Sequence, residues 1–200
     1  MARGTRETIL TTAVELMRVH GYAALSMKQI VASSGAPIGS IYHHFPEGKA
    51  QIAREALVNA GVAYAAIIPA VFADQTDLGD GIRAAFALAA EDIEQTGFAN
   101  MCPVSTVAGE VANADESLRL AAASVFGDWI TLGTAYFESR GVHPDTAREV
   151  IIAIICALEG AFVMTRTLRD TAPLLAAGAA LAGTYHGVPL TEKAATKRSI

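Results

Sequence analysis

The sequence predicts an all-α protein, with an N-terminal helix-turn-helix three-helix domain and a larger C-terminal helical domain. Three observations carry this. Apolar residues recur at helical spacing along almost the whole chain, while strand-like alternation is nearly absent. Capping residues and glycines fall where such helices should start and stop. Charge is also divided: residues 1–58 hold six Lys/Arg against four Asp/Glu, whereas residues 59–200 hold nine against sixteen.

In the first segment Ile9, Ala13 and Leu16 recur at i, i+4 and i+7, with Met17 widening the stripe, so a helix is expected over residues 5–20. Gly21 would end it in a left-handed cap. Ser26 followed by Gln29 is a capping-box pattern that opens a short second helix stopping at Gly35. Pro37 suits the first turn of a third helix over residues 37–44, because its missing N–H would have no partner there. Two short helices joined by a turn around a glycine form a helix-turn-helix.

After Pro46-Glu47-Gly48 an apolar-striped helix is expected from Lys49 to about residue 73, bent at Gly61 or Pro69. Further helices are expected at 79–95, 104–112, 116–139, 145–168 and 172–185. The domains implied are 1–48 for the helix-turn-helix and 49–187 for the larger body, with 188–200 as a flexible tail.

Composition narrows the function classes. With 52% hydrophobic and 18% charged residues in 200, a sizeable core is expected. Cys102 and Cys156 lack metal-ligand spacing and cannot build a disulfide framework. Neither a metal nor a cofactor is expected, and a reducing cytoplasm is the simplest setting. No export signal is recognised at the N-terminus. The apolar run 150–164 contains Glu159 and falls short of the roughly 20 residues that span a bilayer, so a buried helix and no membrane are expected. The net charge of −5 argues against nucleic acid until its distribution is considered. A mildly basic head on an acidic body is what a DNA reader with a separate module requires.

The run Gly21-Tyr22-Ala23-Ala24-Leu25-Ser26-Met27-Lys28-Gln29-Ile30-Val31-Ala32-Ser33-Ser34-Gly35, followed by Gly39-Ser40-Ile41-Tyr42-His43-His44-Phe45, resembles the DNA-binding domain of the TetR family of regulators. The similarity covers about residues 5–58. The variant Tyr42-His43-His44-Phe45-Pro46-Glu47-Gly48-Lys49 is similar to the LmrA/YxaF-like branch, and Met101-Cys102-Pro103 opens a short helix in a similar manner.

The resemblance implies a homodimeric repressor whose partners are double-stranded operator DNA and a small apolar effector. Ile30, Ile41 and Phe45 would hold the small domain together. Pro37, Ile38, Ser40, Tyr42 and His43 would then face the major groove, with Gly39 allowing close approach. Ser26, Lys28, Tyr42, His44 and Lys49 are candidate phosphate anchors. Many family members carry Lys where this chain has Ile38, so apolar contact with a thymine methyl is one expected form of readout. Tyr42 has a second reading as a core aromatic. His43 and His44 do not share a helix face and so make a poor metal pair.

An apolar effector cavity is implied among the fourth to eighth helices, with Tyr64, Phe86, Phe98, Met101, Cys102, Trp129 and Phe162 as candidates. Each has a competing reading as a core residue. Small residues recur in the last two long helices: Ala157, Gly160 and Ala161, then Ala177, Gly178, Ala180, Ala182 and Gly183. They suit a two-fold four-helix dimer interface. Effector binding would move the fourth helix and change the spacing of two recognition helices seated about 34 Å apart. Two alternatives stand beside this: a DNA-binding regulator without a small-molecule ligand, and an enzyme using Cys102 as nucleophile. The branch resemblance points to control of an efflux or detoxification gene.

Overall fold

The computed structural model describes residues 4–191. Among them are ten α-helices: α1 (Thr5–Ala24), α2 (Met27–Ser34), α3 (Ile38–His44), α4 (Lys49–Ala65), α5 (Ile67–Phe72), α6 (Leu78–Gln95), α7 (Pro103–Val111), α8 (Glu116–Ser139), α9 (Pro144–Leu168) and α10 (Ala172–Thr184). Extended pairing among the described residues is confined to an isolated bridge between Asp77 and Pro189.

Several helix ends follow directly from local chemistry. Asp77 caps α6 by accepting from the Asp80 N–H at 3.1 Å. Pro103 and Pro144 occupy the first turns of α7 and α9, where no intrahelical donor is needed. Pro37 stands one position earlier than expected, as the N-cap of α3 with extended backbone. Gly21 differs more. The helix resumes beyond it to Ala24, and its φ of 76° with ψ of 177° makes a kink in place of a left-handed cap.

The long helix expected after Lys49 is interrupted at neither Gly61 nor Pro69 itself but at Ala66, between α4 and α5. Pro69 has no N–H to donate to the carbonyl four residues back, so the ladder cannot run unbroken through Ala65. Gly61 stays helical and buried, because a Cβ there would meet Val125 Cγ1 at 2.7 Å.

By contact, the chain divides into two compact units, cut elsewhere than at 48/49. The first runs to Tyr64 and takes in Ala99–Gly127; the second comprises Ala65–Phe98 and the chain from Asp128 onward. In the first unit α1 packs on α2, α3 and α7. Ile9, Met17, Ile30, Ile41, Phe45, Ile52 and Leu57 are fully buried there. Arg6 pairs with Glu55, and its guanidinium lies 5.3 Å from the Phe45 ring centre. Arg54 pairs with Glu47 at 3.1 Å and donates to Ser117 Oγ at 3.2 Å.

In the second unit α10 packs on both α6 and α9, around a core that includes Phe72, Ile82, Phe86, Phe137, Ile151 and Leu174. Residues 188–191, expected to belong to a flexible tail, are held in place. Leu190 is buried, its N–H donates to the Thr76 carbonyl at 2.8 Å, and the Thr191 N–H donates to the Arg140 carbonyl at 2.8 Å. Residues 192–200 of that expected tail lie outside the described residues.

The apolar run of α9 is not wholly buried, as composition suggested. Only 28% of its most apolar stretch is buried, and by length and composition it would suffice to cross a bilayer. Val150, Ile151 and Ile154 face the core, while Val163, Met164 and Leu168 are more than half exposed. The small residues divide the same way: Ala161, Gly178 and Ala182 pack inward, and Gly160, Ala180 and Gly183 face outward.

Candidate nucleic-acid interface

The helix-turn-helix is assembled by short-range bonds. At the start of α2 the Ser26 hydroxyl accepts from the Gln29 N–H at 3.2 Å, and the Ser26 N–H donates to Gln29 Oε1 at 2.9 Å, completing the capping box. Ser26 thereby has a structural task beside any phosphate contact. Gly35 ends α2 at φ 68° and ψ 2°, a left-handed position where a Cβ would be strained. The chain can then turn within three residues into α3.

α3 has two distinct sides. Ile41 and Phe45 just after it are fully buried, and with Ile30 of α2 they anchor the helix. The other side carries Pro37, Ile38, Gly39, Tyr42 and His43, all exposed, with Ser40 and His44 half-buried. Residues four apart on a helix are neighbours, so Ile38 with Tyr42 and Gly39 with His43 make one continuous surface. Tyr42 is 50% exposed, which removes its reading as a core aromatic. His43 and His44 stand edge to face with ring centres 5.3 Å apart.

The cations of the basic head are used unevenly. Arg6 and Arg54 are held by acidic partners within the unit, and Arg18 lies 3.4 Å from Glu15. Lys28 is exposed on α2. Lys49, the first residue of α4, places its ammonium 4.1 Å from the centre of the Tyr22 ring, a cation–π distance. Burial pulls the Lys49 ammonium below its ordinary pKa of 10.5, and the charge of Glu110 opposes that shift. Burial likewise raises the Tyr22 phenol, with the negative charge of Asp115 adding to it.

The seven effector candidates do not gather within one unit. Tyr64, Met101 and Cys102 belong to the first; Phe86, Phe98, Trp129 and Phe162 belong to the second. Of the latter, Phe86 is a core residue at 1% exposure, with Phe98 and Phe162 half-buried against the same core. Phe98 is held at φ 61°, uncommon for a bulky residue, where its N–H donates to the Ile93 carbonyl at 2.8 Å. Cys102 is a buried thiol at the N-cap of α7. Tyr64, Met101 and Trp129 are half-buried.

Two features escaped sequence reasoning. A groove of about 700 Å³ runs between α4 and α8, lined by Arg54, Val58, Glu116, Ser117, Leu120, Ala121 and Ser124. Glu110 of α7 accepts from the backbone N–H groups of Tyr22 and Ala23 at 3.2 and 2.7 Å. No local pattern could reveal a contact between residues 88 apart.

Comparison with known proteins agrees with this architecture. Residues 9–56 match the family model for bacterial regulatory proteins of the tetR family, and residues 79–180 match the C-terminal domain of LmrA/YxaF-like transcriptional regulators. The HTH-type transcriptional regulator LmrA of Bacillus subtilis is 30% identical over 171 residues, covering 86% of this chain and 91% of its own. YxaF of the same organism, an uncharacterized HTH-type regulator, is 32% identical with 86% and 90% covered. A TetR transcriptional regulator from Legionella pneumophila superposes with a TM-score of 0.78 at 21% identity, over 92% of this chain and 98% of its own. Another, from Chloroflexus aurantiacus, gives 0.72 at 29% identity, with 94% and 97% covered.

Proposed function

The chain belongs to the TetR family of bacterial transcriptional regulators, in its LmrA/YxaF-like branch, and from that premise we propose that it is a cytoplasmic repressor released from a palindromic operator by a small apolar effector. Regulators of this family bind operator DNA and act as dimers. The single observation that carries the DNA half of the reading is the exposed side of α3, with Ile38 and Tyr42 outward while Ile41 and Phe45 are fully buried. A helix anchored on one side and presenting a polar and apolar strip on the other suits a major groove.

In this reading Pro37, Ile38, Gly39, Ser40, Tyr42 and His43 read bases. Lys28, Lys49, Ser26 and His44 position the backbone, contacts that carry affinity without sequence information. The region from α4 onward houses the effector, with Tyr64, Phe86, Phe98, Met101, Cys102, Trp129 and Phe162 as candidate contacts, and dimerises through α9 and α10. The gene controlled would be one of efflux or detoxification. Effector and DNA need only favour different dimer states, typically with ~1 to 3 kcal/mol of coupling, and each must weaken the other equally.

The test is binding of the purified protein to DNA flanking its own gene, titrated against salt. Tight, salt-dependent binding that Tyr42→Ala and Lys28→Ala both weaken supports the reading. Binding no stronger than to arbitrary duplex overturns it for those promoters. An effector screen by release of that DNA then separates a ligand-responsive repressor from a regulator that takes no ligand.

A further inference from the structure

Glu110 is the next-to-last residue of α7, where the negative end of the helix dipole disfavours a carboxylate. Its position is explained by what it holds. At Gly21, φ of 76° and ψ of 177° break the helical path of α1, and the two amides after the break donate to the Glu110 carboxylate. Such charge-assisted bonds to consecutive N–H groups are stronger than neutral ones. A Cβ at Gly21 would lie 1.9 Å from Glu110 Oε1, so glycine is what admits the carboxylate to the backbone.

The same segment carries Tyr22, whose ring lies under the Lys49 ammonium at 4.1 Å. Glu110 acts electrostatically on Lys49 as well. One α7 side chain therefore holds the segment leading to α2 and acts through its charge on the cation opening α4, all inside the first compact unit.

We propose that Glu110 is a positioning residue for DNA binding: by clasping the Tyr22–Ala23 backbone it holds Tyr22 and Lys49 so that Lys49 can meet a DNA phosphate. This rests on the reading of Lys49 as a phosphate anchor. It makes α7 the element whose displacement would switch that anchor off.

The experiment uses full-length protein and the duplex recovered with it by in vitro selection from a random pool. Affinity is measured across a salt series for the unaltered protein, Lys49→Met, Glu110→Ala, Glu110→Gln and the double variant Glu110→Ala/Lys49→Met. Losing one phosphate contact makes the log–log salt slope shallower by about 0.9. The expected result is severalfold weaker binding and that shallower slope in Lys49→Met and in Glu110→Ala, with no further loss in the double variant.

A general packing role would instead weaken binding with an unchanged slope, and its effect would persist in the Lys49→Met background; either finding overturns the proposal. So does tighter binding by Glu110→Ala, which would make Glu110 a competitor of phosphate for Lys49. If Lys49→Met alone changes nothing, the phosphate-anchor reading falls and the clasp with it. If Lys49→Met weakens binding but Glu110→Ala does not, only the clasp falls. Should Glu110→Ala fail to fold, Glu110→Gln decides: it replaces one of the two accepting oxygens with an NH2 that cannot accept from an amide, so weaker binding with a shallower slope supports the clasp, and unchanged binding and slope overturn it.

Discussion

Arg140 donates through Nη1 to the carbonyl of Phe72 at 2.7 Å, closing the C-terminal end of α5 with a buried guanidinium. The same group reaches the Ala73 and Gln75 carbonyls, the Tyr136 hydroxyl and the Thr191 carbonyl. Carbonyls at a helix end have no intrahelical partner, and the planar fork of arginine supplies up to five donors at once. Arg140→Met should therefore destabilise the protein by about 3 kcal/mol, since several acceptors lose their donor together. Arg140→Lys, with three donors, should recover part of it. Urea denaturation checks this, and unchanged stability in Arg140→Met would show that water replaces the fork at no cost.

Close packing of α10 on α6 predicts an asymmetry between two glycines. A Cβ at Gly178 would stand 2.5 Å from Phe86 Cβ, whereas one at Gly109 meets nothing within 4 Å. Gly178→Ala should cost about 1 to 3 kcal/mol through overpacking. Gly109→Ala should stabilise by roughly 0.5 to 1 kcal/mol through helix propensity. Thermal melts of both variants decide it; a neutral Gly178→Ala would mean that α10 can move away from α6 without loss.

Asp77 accepts from the Asp80 and Gly187 N–H groups at 3.1 and 2.7 Å. Burial pushes its carboxyl up, but the amides of Asp80, Gly187 and Gly79, with the His186 imidazole, outweigh that and hold it below the ordinary 3.8. A depressed folded-state pKa contributes stability that is present above the ordinary value and lost as pH falls through the folded value. The Tm advantage of the unaltered protein over Asp77→Asn should therefore persist at neutral pH and shrink below about pH 4. An advantage that stays constant to pH 2 would refute the carboxylate's role.

Much of this fold was legible because helix ends are written locally: Ser26 with Gln29, Gly35 and Pro103 each act within one turn. What was not legible depended on distant partners. Gly61 looked like a bend but is covered by Val125, and the close approach of Phe86 to Gly178 has no local signature. Helical spacing tells that an aromatic faces inward, not whether its neighbour is a cavity or another side chain. The exposed side of α3 was readable from Ile41 and Phe45 as its anchors. The Glu110 clasp was not, since only the packing of α7 on α1 brings residue 110 to residue 22.

Ile38 is 48% exposed on α3, among the residues proposed to read bases. Ile38→Ala should leave binding to arbitrary DNA unchanged while reducing discrimination at one base pair by about 1 kcal/mol. Competition between the selected duplex and its single-base variants measures this. Equal loss across all sequences would place Ile38 against the backbone instead.

Cys156, Gly160, Val163, Met164 and Leu168 are exposed along α9, and Leu175 is exposed on α10. Apolar residues at such spacing favour a partner helix over water, and a dimer stable at micromolar concentration buries roughly 1,200 to 2,000 Å². On that reasoning the unaltered protein should sediment at twice the 20.8 kDa of one chain. Met164→Glu places a charge where a two-fold axis would bring two together, and should sediment as one chain with its helix content intact. Since a single recognition helix then grips one half-site, its affinity for a palindromic duplex should fall far below that of the dimer. If Met164→Glu remains dimeric and binds normally, the two-fold interface lies away from this stripe.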